Sequence, residues 1–390
     1  MYRNSNGGET IRPNRRLSLR ERAPFRGAKG DDDDALLSEA FESRQNVLSV
    51  SLAILAVAFA ASAVSADDSF RDRVALRVKG RRTPLTLFCK VVDYTGRSIT
   101  VRNAAGMLRS YPTADVLDVQ TPQTEAHVRG LLAFSRGDYK TARLSFQTAL
   151  AEEPRDWMKR ELRALLVRCA LRTGDRKEAI EQFLALVDSD PSTQHFALVP
   201  LTWATEKLDA AQKTIAQGRL LGTKSAPRLI AASQLLFDPR FARQAEAALK
   251  QLRSDVDSRI SRLAEIQLWR KALQRGHLLA DEVADWKKVV ARLPVKLRGG
   301  GNYLLGQAYL QQKNNERAAA ALLWLPLVYD DDRQLAARAS LEAAEALQEI
   351  GRTSEAVTLF REVRTRFADT EFAQEAAAQL ARYAKAAKSR

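Results

Sequence analysis

The residue types able to do chemistry are few and scattered. Cys169 paired with His127 or His195 would make a thiol nucleophile and its base. Cys169, however, continues the apolar stripe of Leu162, Leu165 and Leu166, which predicts a buried thiol. The three histidines, His127, His195 and His277, stand far apart, and none has the HxxxH spacing of a metal pair. Carboxylates cluster at Glu152-Glu153 and at Asp330-Asp331-Asp332. The second cluster lacks the spaced Asp/Asn, Gly and terminal Glu of a calcium loop. It reads as an inter-helix turn, where acids suit the positive start of the next helix. Gly299-Gly300-Gly301 would cradle phosphate if a strand preceded it and Lys-Ser/Thr followed; neither does, so it reads as a flexible joint. GxSxG, HExxH and Walker patterns are absent. What remains is Arg168 and Arg172, four apart and so on one helix face. Guanidinium groups hold carboxylates through paired hydrogen bonds, which points to binding. No catalytic residue, cofactor or metal is predicted.

The elements that carry these residues repeat. Gly137, Ala142, Phe146 and Pro154 recur as Gly174, Ala179, Phe183 and Pro191, each 37 positions on. Gly306, Tyr309, Ala318 and Leu322 are echoed by Ala344, Leu347, Ala356 and Phe360, 38 positions on. Small residues let antiparallel helices approach, an aromatic fills the gap between units, and Pro ends a helix because it lacks an N–H. Such a unit cannot bury its apolar face alone, so its neighbours must stack. Gly130, Ala133, Ala142, Phe146, Ala149 and Pro154 resemble the tetratricopeptide repeat, and the stretch Arg366–Ala373 resembles the inter-repeat turn of periplasmic tetratricopeptide proteins such as the accessory protein of the Tol–Pal system. The second unit departs, with Val167 where Gly130 stood and a longer first helix. The resemblance implies that first helices line a partner groove, to which His127, Leu131, Phe134, Arg168 and Arg172 would belong.

The expected fold is mainly α, a tetratricopeptide-like helical-hairpin solenoid behind a small all-β, barrel-like unit. Residues 121–192 and 299–384 hold the repeats, and 193–298 hold less regular helical hairpins. Residues 70–120 alternate β-branched and aromatic positions between turn signals such as Thr95-Gly96-Arg97, giving about five short strands. In size and turn spacing that unit resembles SH3-like or Sm-like barrels, and packing on the repeats is its expected role.

Residues 47–66 carry no charge, follow Arg44 and end in Val64-Ser65-Ala66, the small-x-small pattern of an export signal. The run is also long enough to span a bilayer, so either cleavage after Ala66 or an uncleaved anchor is expected. Residues 1–46 read as a polar, disordered tail. Together these features predict an exported, non-catalytic scaffold of the cell envelope. It would be periplasmic or membrane-anchored, with protein or peptide partners that include acidic ones. The alternative is a binder of nucleic acid or another anionic polymer. It rests on a net charge of +15 and a pI near 10.0, but the basic residues are interleaved with acids rather than clustered.

Overall fold

The computed structural model describes residues 72–388, so the predicted tail at 1–46 and the export segment at 47–66 lie outside the described residues. Among the described residues no helix is long and apolar enough to cross a membrane.

The chain first makes β1 (Asp72–Leu76), β2 (Leu85–Tyr94), β3 (Ser98–Arg102), β4 (Leu108–Pro112) and β5 (Val116–Gln120). They form a 5-stranded antiparallel sheet in the order β4-β3-β2-β1-β5, with a 3-10 turn at Thr113–Asp115 before the last strand. The long β2 serves both halves: Leu85 to Cys89 pair with β1, and Lys90 to Tyr94 with β3. Alternation sends Cys89 and Val91 inward and Phe88, Lys90 and Val92 outward, as a half-buried strand requires. Asp72 is buried and accepts hydrogen bonds from the Val91 amide at 2.6 Å and the Thr121 hydroxyl at 2.5 Å, tying β1 to the segment that enters the helices.

Fourteen helices follow among the described residues. The first two hairpins are α1 (Glu125–Ser135) with α2 (Tyr139–Glu152), and α3 (Asp156–Thr173) with α4 (Arg176–Ser189). Gly137 and Gly174 turn these hairpins at φ values of +80° and +74°, a region that disfavours a side chain. Asp138 and Asp175 then cap α2 and α4 by accepting from the Thr141 and Glu178 amides. A β-carbon on Gly130 would stand 2.5 Å from the Phe146 ring, so the small residue of α1 is the seat of the aromatic of α2. The helices α5 (Ala210–Leu221), α6 (Ser225–Leu235), α7 (Ala242–Leu252), α8 (Ser258–Arg275) and α9 (Ala280–Ala291) continue the stack. It closes with α10 (Gly299–Gln311), α11 (Asn315–Val328), α12 (Arg333–Glu349), α13 (Thr353–Arg366) and α14 (Glu371–Lys388).

The β unit and first repeat share one buried cluster, in which Val74, Cys89, Val91 and Ile99 join Phe146, Trp157 and Cys169. The two cysteines therefore belong to the same core, each as a buried free thiol. The Gly299-Gly300-Gly301 triplet is not a joint: it is the first turn of α10, pressed against Tyr329, Trp203 and Val290. Absence of a β-carbon here serves close approach, not flexibility. Finally, between α4 and α5 the chain is non-helical apart from a short 3-10 turn at Phe196–Leu198. Its carbonyls are held by arginines from other elements: Pro191 and Thr193 by Arg259, Leu201 by Arg176, and Ala204 by Arg270.

Candidate partner-binding site

Helix α3 is built on a broad apolar stripe, with Leu162, Leu166, Val167 and Cys169 fully buried. Arg168 and Arg172 stand off that stripe one turn apart, both half-buried. Arg176 opens α4 just past the cap at Asp175 and extends the basic row.

Against this row lies the turn between α11 and α12. Nη2 of Arg172 donates to Asp330 at 2.8 Å and Nη1 at 3.3 Å, while Asp331 stands 3.5 Å away. Nη2 of Arg176 meets Asp332 at 3.0 Å, and its Nε meets Glu206 at 3.1 Å. Asp332 also caps α12, accepting from the Leu335 amide at 3.1 Å. Arg366 of α13 holds Asp330 from the other side at 3.0 Å. Burial alone would lower the pKa of Arg172, but Asp330 and Asp331 outweigh it and hold the group above its ordinary value. Arg176 is the same case, with Asp332 and Glu206 overcoming burial.

The contact between α3 and α12 is largely polar, with Trp203 packed against the apolar clusters on either side. Leu171 belongs to one buried apolar cluster and Ala339 and Leu341 to another; among the described residues no such cluster spans the two helices. A cavity of about 240 Å³ opens beside it, lined by Leu171, Arg176, Trp203, Glu206, Gln334 and Arg338 among others.

The other residues singled out by the sequence fall in different places. Phe134 packs edge-on to Tyr139 at 5.2 Å, and the Arg172 guanidinium lies 5.5 Å from the same Tyr139 ring, so Phe134 and Arg172 flank one aromatic. Leu131 is half-buried on the first core cluster. His127 is 4% exposed and faces Phe146, so it is a core residue rather than part of an open face. Burial pushes its pKa down to about 4. The Nε of Arg168 has no partner among the described residues. Sequence reasoning gave Arg176, Arg366 and Trp203 no part in the site. It read the three aspartates only as helix-start acids, which accounts for the cap at Asp332 but not for the arginines opposite.

A tetratricopeptide repeat model matches residues 133–199, and a second matches residues 338–370. The first covers α2 to α4 with part of α1, and the second most of α12 with α13. These matches and the stacked hairpins support a tetratricopeptide protein, the kind of repeat that binds protein partners. No curated protein and no solved structure matches the chain.

Proposed function

We propose that the chain is an interaction scaffold, without catalysis of its own, that binds an acidic segment of a protein partner on the arginine face of α3 and α4. The observation that carries this reading is the carboxylate chemistry already present there. Arg172 takes both oxygens of Asp330, and Arg176 takes Asp332 and Glu206, while Arg168 stands one turn away, half-buried on the same helix. A forked donor of this kind matches the two oxygens of one carboxylate, and a row of such donors matches a run of acids. The flanking Phe134 and Tyr139 offer apolar and aromatic contact for the rest of such a segment.

The strand order and the 3-10 turn before β5 support reading the β unit as an SH3-like small barrel, used here to pack on the first repeat. Residues 47–66 support an exported, envelope location, anchored or cleaved after Ala66. N-terminal sequencing of the native protein decides between these forms, and a chain found only in the cytoplasm would reject both.

The second reading, an anionic-polymer binder, draws on the outer face of the sheet, where Lys90, Arg102 and Leu108 align across β2, β3 and β4 beside Arg73 and the exposed Phe88. It requires affinity for nucleic acid that falls steeply with salt.

The test is a titration of the full chain into a fluorescently labelled peptide carrying three consecutive aspartates, followed by anisotropy. The scaffold reading expects saturable binding that Arg168→Glu weakens by about tenfold or more. Binding unchanged in that variant would remove α3 from the interface.

A further inference from the structure

The acids that occupy the arginine face belong to the chain itself. Asp330, Asp331 and Asp332 are consecutive, and each lies within ion-pair distance of Arg172 or Arg176. They come from a turn 158 residues away in sequence. We infer that this turn is an internal ligand of the arginine face: it holds the site closed, and an acidic partner segment binds by displacing it. The inference rests on the acidic-segment reading above and adds regulation of the same site.

Three observations support displacement over a permanent brace. No buried apolar cluster spans α3 and α12, and apart from Trp203, which packs on the clusters of both, the junction is held by charge and hydrogen bonding. Both Asp330 and Asp331 retain solvent contact, with side chains 31% and 42% exposed, and water and ions can therefore compete for them. Arg168, one turn before Arg172 and half-buried, makes no ion pair with the three aspartates, and gives an incoming segment a first foothold before they are displaced. Arg366 stands behind Asp330 and remains its partner when Arg172 is taken, so the released turn is not left uncompensated. Asp332 has its own second task as the cap of α12, and the exchange therefore centres on Asp330 and Asp331.

An internal ligand lowers apparent affinity by the fraction of molecules in which the face is closed. Asp330→Asn with Asp331→Asn, leaving the Asp332 cap, should therefore tighten binding of the labelled three-aspartate peptide by about tenfold. Asp281→Asn with Asp285→Asn, two exposed acids of α9, changes the net charge equally and should leave affinity near that of the native chain. Adding Arg172→Glu to the loop variant should abolish the gain. Equal binding by the loop variant and the native chain overturns the internal ligand while the acidic-segment reading stands. Absence of binding by both overturns the two together. A measurement on the unaltered chain covers the case of a loop variant that folds poorly. At saturating peptide, amides of residues 329–336 should exchange hydrogen faster than in the unbound protein. Unchanged or slower exchange there, with the peptide bound, sinks the inference.

Discussion

Trp203 lies where the side chain of any residue other than glycine at position 300 would be: a β-carbon there would stand 2.0 Å from its Cε2 and 2.2 Å from its Cζ2. Trp203 packs against both large apolar clusters, so its ring cannot move without disturbing both. Helix propensity favours Ala over Gly by at most about 1 kcal/mol, whereas overpacking a core costs about 1–3 kcal/mol. We expect Gly300→Ala to destabilise the fold in urea denaturation, and to cost far less in a Trp203→Ala background. A stabilised Gly300→Ala protein would show that Trp203 does not hold this position.

The pair of Arg172 and Asp330 yields a second prediction. Their side chains are 16% and 31% exposed, between the surface and interior regimes. Removing one partner strands the other. Asp330→Ala is expected to cost about 1–3 kcal/mol, since the carboxylate also serves Arg366. Replacing both, as Arg172→Met with Asp330→Ala, should cost less than the sum of the single changes. A double-mutant cycle measured at low and high salt checks this; additive losses insensitive to salt would mean the pair contributes no coupling.

Acid should weaken the first repeat through His127. Burial lowers its pKa from 6.5 to about 4, with Arg155 also disfavouring the charge and Glu153 and Glu161 favouring it. The unfolded chain takes up this proton below its ordinary pKa, and the folded chain only near the lowered one. The contribution to stability is therefore full above pH 6.5 and lost as pH falls toward about 4, for a total of about 3 kcal/mol. His127→Gln should flatten this part of the pH dependence when urea midpoints are compared between about pH 7 and pH 5. An unaltered slope would locate the acid sensitivity elsewhere.

The repeats were legible because their constraints are local. Gly137 and Gly174 recur at a fixed offset since both turn at positive φ, and Ala142 with Phe146 recur since each hairpin packs the same way. The strands were legible by alternation between turn signals, which called for about five where the sheet has five. The segment between α4 and α5 was not, because what fixes it lies far away: Arg259 and Arg270 of α8 grip its carbonyls. The glycine triplet misled for a related reason. Its composition matches a linker, and only Trp203, nearly a hundred positions earlier, reveals it as a contact surface. In the candidate site, the Arg168–Arg172 spacing placed two arginines on one helix face, and Arg172 pairs with a carboxylate, but one sequence offers no signal that this carboxylate is Asp330.

The docking of the β unit gives the last prediction. Arg160 of α3 is 7% exposed and reaches Asp93, the Tyr94 carbonyl at 3.0 Å and the Ser189 hydroxyl at 3.3 Å. Beside it the Gly96 amide donates to Asp190 at 2.8 Å, and a β-carbon on Gly96 would stand 1.8 Å from the Ser192 carbonyl oxygen. That obstacle is backbone, itself pinned by Arg259, so it yields less readily than a side chain. Gly96→Ala should lift the β2–β3 turn off the end of α4 while the apolar contact of Tyr94 with Trp157 still holds the rest of the unit. Arg97, already exposed in that turn, would then be cut by trypsin faster than in the native chain. The β unit packs away from Arg172, so affinity for the three-aspartate peptide should not change. Equal proteolysis of the variant and the native chain would mean that the turn docks without these contacts, and lost peptide affinity would mean that the unit reaches the arginine face.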